Sequence, residues 1–323
     1  LSGVDNLGQT FKVEMYLDVS EYRVADSIIH GKENLEFLVA EENDIPLLEW
    51  KEFAGSFNGY TDFDKAQDIL YFFGVNRDEI QSIDIHDNLV PLQSPLTGEE
   101  ITSISGTTDT LVGYDIGKIV KIDGTEMFNQ AGRVKHLCEY AGSTFWTNSS
   151  GKLFKDGEEA PTAFVKSNSV TGIFSTDSVL VIMGDKSDIS IVLGTNEVQS
   201  AYTDDLALTL RSACVTDENI LVVVGNQGSV VTVDLSTLIA KKVDVNSTAN
   251  LKDITNLKNA LFLIDEQCNV ISSSNYYASY KIDSFLLGGQ ASIALGIYTN
   301  ADAVYAAGNT SSLKTIIIKG EYA

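Results

Sequence analysis

The sequence predicts an all-β chain folded as a single β-propeller, and three observations carry that reading. One pattern recurs eight times along the 323 residues. Its copies start 33 to 42 residues apart, near positions 25, 60, 101, 134, 170, 210, 251 and 293. Within a copy, apolar runs of strand length alternate with turns rich in Gly, Asn and Asp. Repeats of this length, built from strands and tight turns, point to a toroidal β architecture. A β-solenoid repeats every ~20–30 residues, too short for this spacing. A pair of β-sandwiches would not keep all the copies in one register.

Each copy opens with two apolar residues three apart. Ile101 and Ile104, Val134 and Leu137, Val170 and Ile173, Leu210 and Ala213, and Leu251 and Ile254 are the clear cases. They are predicted to start the inner strand of a blade. A continuous apolar run follows, as in Leu111–Tyr114, Val179–Met183, Ile220–Val224 and Leu261–Ile264. Such runs predict burial on both faces, the place of a middle strand in stacked blades. The next turns hold residues that tolerate positive φ, namely Gly117, Asn148 to Gly151, Asn226 to Gly228, and Asn309. A third strand comes after them, for example Ile119–Ile122 or Val230–Val233. The fourth, outer strand is weakly marked, with Phe128 and Val198 as candidate positions.

The copy beginning at Tyr60 and Phe63 keeps the common count, whereas the one at Ala25 and Ile28 is looser. Counting both gives eight blades; without the loose first copy the number is seven. The last copy runs into the end of the sequence with no room for an outer strand. Within residues 1–20, the alternating segment Phe11–Leu17 is predicted to supply that strand. Pairing the N-terminal segment with the last blade would close the ring and remove its open edges. Residues 1–323 are therefore read as one domain.

Acidic residues number 45 against 22 Lys and Arg, a net charge of −23. Nucleic acid and anionic membrane surfaces are excluded as non-specific partners, because both require a basic footprint. The charge fits a solvated acidic surface, or one that meets basic or cation-bridged partners. No apolar run reaches the length of a transmembrane helix, and no secretory leader pattern stands at the front. The first residue is Leu1 rather than Met, as in a chain cut from a precursor or in a sequence that starts late.

Candidate chemistry is sparse. Cys138, Cys214 and Cys268 form no disulfide framework. Cys138 and Cys214 occupy equivalent positions in two copies and read as small apolar fillers near the axis. His136 and Cys138 share one face of an inner strand but give only two metal ligands. His30 and His86 fall in other units. Asp62, Asp64 and Asp68 cluster in one copy, Asp185 and Asp188 flank a turn, and Asp204 and Asp205 are adjacent. Clustered carboxylates suit calcium, but none has the spaced, Gly-containing calcium loop. Arg23, Arg77, Arg133 and Arg211 are the only arginines, which disfavours a sialidase-type arginine triad. The sequons at Asn148, Asn246 and Asn309 read as turn chemistry. Tyr276, Tyr277 and Tyr280 read as outer-strand packing, with an aromatic patch for glycan or protein as the alternative. No catalytic, metal-binding or cofactor-binding residue is assigned, and no cofactor is expected.

The stretches ITSISGTTDTLVGYDIGKIVKIDG (Ile101 to Gly124) and LKDITNLKNALFLIDEQCNVISSS (Leu251 to Ser274) resemble divergent propeller repeats of photosystem assembly factors and BNR-type propellers. Similar repeats occur in virion proteins of large tailed bacteriophages. The resemblance covers most of the chain and is one of pattern; the Trp-Asp ending of WD-repeat blades is missing. It implies a non-enzymatic protein-interaction platform, a structural component of a large assembly such as a bacteriophage virion. It supplies no functional residues. The alternative is a glycan-binding or glycan-cleaving propeller. A deep polar axis with converging carboxylates and arginines would favour that alternative.

Overall fold

The computed structural model describes residues 2–4, 10–12, 48–53, 57–74, 78–130, 132–161, 164, 169–194, 198–202, 208–243, 248–258, 260–273, 280–283 and 291–322. They fall into two units, Leu1–Glu41 and Glu42–Ala323. In the first, Ser2–Val4 pairs antiparallel with Thr10–Lys12.

The second unit is a ring of antiparallel blades; six are four-stranded and follow the chain from inner to outer strand, while the seventh is completed by strands from earlier in the chain. Among the described residues there are seven. The inner strands of blades I to VII are Asp62–Ala66, Ile101–Ser105, Val134–Tyr140, Val170–Ser175, Leu210–Val215, Leu251–Leu257 and Ile293–Asn300. Each packs on the next, and that of blade VII packs on that of blade I. The second strands are almost wholly buried, as the continuous apolar runs predict: Leu111–Tyr114, Val179–Gly184 and Ala260–Asp265 expose nothing substantial. Phe128 and Val198 do lie on outer strands, paired with Ile119 and Val192.

A bulge explains the apolar pair three residues apart. In blades II to VI the pairing of inner and second strands shifts register between the first and third positions of the repeat, as between Val134 and His136 or Leu251 and Asp253, and in blade VII it shifts one residue later, between Ala294 and Gly296. In a regular strand, residues three apart face opposite sides. One extra residue returns them to the same side. Val134 and Leu137 accordingly enter one apolar cluster with Leu111 and Ile119 of blade II. Leu251 and Ile254 likewise meet Val222 and Val224 of blade V. The third and fifth positions are left to face the axis and the following blade.

The core is divided into seams between blades. Each apolar cluster among the described residues draws on two consecutive blades. The closing seam is built the same way from distant segments: Tyr60, Phe63, Leu70 and Phe72 of blade I pack with Leu295, Tyr305 and Ile317 of blade VII. There Phe63 stacks on Phe72 at 4.3 Å and meets Tyr298 edge-on at 4.9 Å.

Two expectations require correction. Among the described residues the blades number seven rather than eight, the count reached without the loose copy at Ala25, which lies outside the described residues. The strand that completes blade VII is Leu48–Glu52, not Phe11–Leu17. It pairs with Lys314–Tyr322 from Leu48 opposite Tyr322 to Glu52 opposite Ile318. Phe11 and Lys12 instead pair with Gly3 and Ser2, and residues 13–17 lie outside the described residues. Leu48–Glu52 alternates weakly, but it directly precedes blade I and places Leu48 and Trp50 against the seam between blades VI and VII. A second tie crosses the closing seam: the Tyr305 hydroxyl and the Lys319 ammonium both donate to Asp87, in the turn before the outer strand of blade I.

Gly117 marks a turn that only glycine fits. Its φ is +83°, and a Cβ there would lie 1.7 Å from the carbonyl oxygen of Gln130. Among the described residues no helix is long and apolar enough to cross a membrane.

The closing seam sets the first prediction. Phe72→Ala should cost about 3–5 kcal/mol of unfolding free energy, the usual loss for a buried Phe. Lys51→Ala, on the exposed side of the closing strand, should change it by less than about 0.5 kcal/mol. Urea unfolding of the two variants measures both.

Candidate functional site

The third and fifth positions of the inner strands converge at the axis. In blade I these are Asp62 and Asp64; in blade III, His136 and Cys138; in blade V, Ser212 and Cys214; in blade VI, Asp253 and Thr255; in blade VII, where the count runs one residue later, Gly296 and Tyr298. Gly296 sits in close quarters, since a Cβ there would lie 3.0 Å from both Asp253 Oδ2 and the Tyr298 ring and those side chains would have to give way.

Asp64 and Asp253 join neighbouring blades. Asp64 Oδ2 accepts the backbone N–H of Ile104 in blade II at 2.9 Å and the Ser103 hydroxyl at 3.4 Å. Its Oδ1 accepts the Tyr298 hydroxyl of blade VII at 3.2 Å. Asp253 takes the Ser212 hydroxyl of blade V at 2.6 Å, its neighbour Ile254 N–H at 2.9 Å, and Ile297 N–H of blade VII at 3.0 Å. Asp62 accepts the N–H of Phe63 at 3.0 Å.

Burial dominates the electrostatics here, because a carboxylate removed from water is disfavoured in its charged form. It pushes Asp64 up to about 7, and the nearby Asp62 and Asp253 charges add to the rise. Burial also raises Asp62, against the opposing fields of Lys252 and Arg133, and raises Asp253, against the hydrogen bond from Ser212. Tyr298 is held well above the ordinary tyrosine range by burial and the carboxylates around it. The cations are occupied elsewhere. Lys252 donates to the carbonyl of Ala294 at 2.7 Å, Arg133 pairs with Glu100 at 2.6 Å, and Arg211 pairs with Glu266.

The predicted candidates separate on this map. Asp62 and Asp64 stand together at the axis, but Asp68 lies in the following turn, 82% exposed and 4.0 Å from Lys65. His136 is half-buried, and desolvation lowers it to about 4, so it is neutral near pH 7. Cys138 and Cys214 are buried in the seams beside their blades, as fillers should be. Burial pushes the Cys138 thiol up to about 12, which leaves it unreactive at neutral pH. Cys268 is buried between blades VI and VII. Among the described residues, no group of three His, Cys, Asp or Glu side chains could hold a metal ion. Asn148 and Asn309 are buried and committed to hydrogen bonds. Asn148 Oδ1 accepts the N–H groups of Ser150 and Lys152, and Asn309 Nδ2 donates to the carbonyl of Tyr60. Both sequons therefore serve turns and seams. Tyr280 opens the outer strand of blade VI, paired with Ser273. Arg23, His30, Arg77, Asp204, Asp205, Asn246, Tyr276 and Tyr277 lie outside the described residues.

Asp253, Tyr298 and Ser212 were not singled out from sequence. The signal for Ser212 and Asp253 is positional, since each stands two residues on from the first apolar residue of its copy, Leu210 or Leu251, whereas Tyr298 stands five on from Ile293 and escapes that count.

The ring defines a β-propeller, and solved propellers are what the chain is similar to. Virginiamycin B lyase from Staphylococcus aureus superposes with a TM-score of 0.63 at 13% identity, over 84% of this chain and 99% of that one. A structure described as YCF48 bound to D1 peptide gives 0.60 at 13% identity, over 86% and 100%. A chain of the mitotic checkpoint complex gives 0.60 at 12% identity, over 83% and 93%. At such identities the likeness shows the fold alone. No protein-family model and no curated protein sequence matches the chain.

Asp253→Ala should destabilise the ring by about 1–3 kcal/mol, because it leaves the buried Ile297 N–H without an acceptor. Ser212→Ala, which removes one donor, should cost about 1 kcal/mol. Thermal unfolding monitored by circular dichroism gives both values.

Proposed function

We propose that this chain is a non-enzymatic interaction platform that docks other proteins, as a structural component of a large assembly such as a bacteriophage virion. The supporting observation is the outer strand of blade I, Leu89–Gln93. Outer strands are the free edges of propeller blades, and natural edges are usually guarded by charge. Glu126 guards blade II, Glu158 and Glu159 blade III, Lys241 and Lys242 blade V, and Glu49 and Lys51 blade VII. Leu89-Val90-Pro91-Leu92-Gln93 carries no charge, as Val198–Tyr202 of blade IV also does not, and here Ile85, Leu89 and Val90 are 48%, 37% and 42% exposed. Pro91 is tolerated there because an outermost strand needs no donor on its free side. Exposed apolar residues that adjoin in this way favour burial against another protein.

The axial carboxylates give some support to the second reading, glycan binding or cleavage. Against it, Asp64 and Asp253 are committed to backbone N–H groups of neighbouring strands, as structural stitches are. The two relatives by fold whose descriptions name complexes, with D1 peptide and in the mitotic checkpoint, show that such rings serve as docking bodies elsewhere.

Size fractionation of the native source, read by mass spectrometry, tests the assembly reading. The chain should travel with megadalton particles at fixed stoichiometry, and chemical cross-links should fall near Leu89–Gln93. Migration as a free 35.0 kDa monomer would remove this reading and send the question to polysaccharide depolymerisation assays.

A further inference from the structure

The outer strand of blade I presents one apolar face to its neighbour. Leu89–Gln93 runs along the third strand, Glu79–Ile83, with Val90 opposite Ser82 and Leu92 opposite Ile80. Ile80 and Leu92 belong to the seam with blade II, together with Ile122 of that blade. Alternate residues of a strand share a face, so Val90 continues the same row outward, where it is 42% exposed. An apolar cleft therefore opens at the rim between blades I and II, continuous with the buried seam behind it.

Backbone polarity excludes one way of covering it. Beyond the two ends of the strand, the Asp84 N–H donates to the Asn88 carbonyl at 3.2 Å and the Ser94 N–H to the Asp78 carbonyl at 2.6 Å. Hydrogen-bonded pairs alternate along an antiparallel ladder. Val90 and Leu92 thus turn their backbone groups inward, and Leu89, Pro91 and Gln93 turn theirs outward. Pro91 has no N–H, so the free edge lacks its central donor. A partner strand added there would keep an unpaired carbonyl, and docking falls to the side chains in the cleft.

Charge selects the occupant. The sequence holds no Lys or Arg between Arg77 and Lys118. Asp84 stands in the turn before Leu89–Gln93, and Asp123 follows Ile122 in the equivalent turn of blade II. Hydrogen bonds from the Asn88 side chain and backbone, and from the His86 N–H, hold the Asp84 carboxyl below its ordinary value. The Thr125 N–H does the same for Asp123. Among the described residues neither carboxylate is in an ion pair, while the lysines of the third strand of blade II are engaged, Lys118 with Glu126 and Lys121 with Asp109. The cleft is apolar at its floor and negative at its lip. A second copy of this chain would bring a net charge of −23 against it, whereas a basic partner complements it.

We propose that this cleft receives an extended segment of a partner protein in which a large apolar side chain is flanked by Lys or Arg. The apolar side chain enters between Val90, Leu92 and Ile122, and the flanking cations meet Asp84 and Asp123. The assignment rests on the platform reading and adds to it the chemistry of the partner.

The experiment selects binders to the full chain from a library of random short peptides and measures each by fluorescence anisotropy. Binders should carry a large apolar residue between basic ones, and should weaken as salt is raised, since exposed charges are screened. Val90→Asp should weaken them about tenfold or more, the scale of a lost interface anchor. Asp84→Asn combined with Asp123→Asn keeps the turn acceptors and should weaken binding several-fold while flattening its salt dependence. Ile239→Asp, at a 59% exposed position in blade V, should leave it unchanged. A selection that returns no binder, binders without basic residues, or binders indifferent to Val90→Asp overturn the proposal. Should a variant not fold, amide shifts of the unmodified chain on peptide titration decide: changes centred on Val90 and Ile122 support the cleft, and changes elsewhere overturn it. The two readings fail separately. A chain that travels with large particles but selects no such peptide keeps the platform and loses the cleft. One that binds the peptides yet migrates as a free monomer keeps the cleft and loses the assembly.

Discussion

Ring closure is the constraint on which everything else depends. A single four-stranded blade has apolar residues on both of its faces and cannot bury either one alone. Each blade gains its core only by lying between two others, so a row of blades would always leave two faces wet. Bending the row until blade VII meets blade I removes both exposed faces at once. The seam where this happens unites Tyr60, Phe63 and Phe72 with Tyr305 and Ile317, residues more than two hundred positions apart in the chain. Three further ties converge on it: the closing strand Leu48–Glu52, the pairing of Asp87 with Tyr305 and Lys319, and the reach of Asp64 to Tyr298.

The inner-strand bulge connects that architecture to the axis. By inserting one residue it turns two apolar positions toward the preceding blade and frees the third and fifth positions for the centre. The same device that makes the seams dry therefore makes the axis polar. Its population is uneven. Blades I, VI and VII contribute carboxylates and a tyrosine, whereas blades III and V place thiols there, buried in the neighbouring seams. The acidic character of the whole chain is thus not confined to a solvated exterior. Part of it is taken into a site where ionisation is disfavoured.

Charge also distinguishes the periphery. Most described outer strands carry Glu or Lys, but Leu89–Gln93 and Val198–Tyr202 do not. That contrast concerns surface chemistry alone and is independent of how the axis is built.

The sequence by itself determined the all-β class, the toroidal repeat, the burial of the second strands, and the filler role of Cys138 and Cys214. These are local or periodic properties: apolar spacing and turn residues act within a few positions, and repetition makes them visible. It placed Asp62 beside Asp64 because alternate residues of a strand share a face. The tertiary structure decided what depends on the ring. Among the described residues it set the blade number at seven. It gave the closing position to Leu48–Glu52, because pairing with Lys314–Tyr322 is a matter of proximity and alternation in Phe11–Leu17 carries no information about it. It also brought Asp253 and Tyr298 to Asp64 from about 190 and 230 residues away, a meeting no local pattern encodes, since only closure of the ring makes the first blade a neighbour of the last.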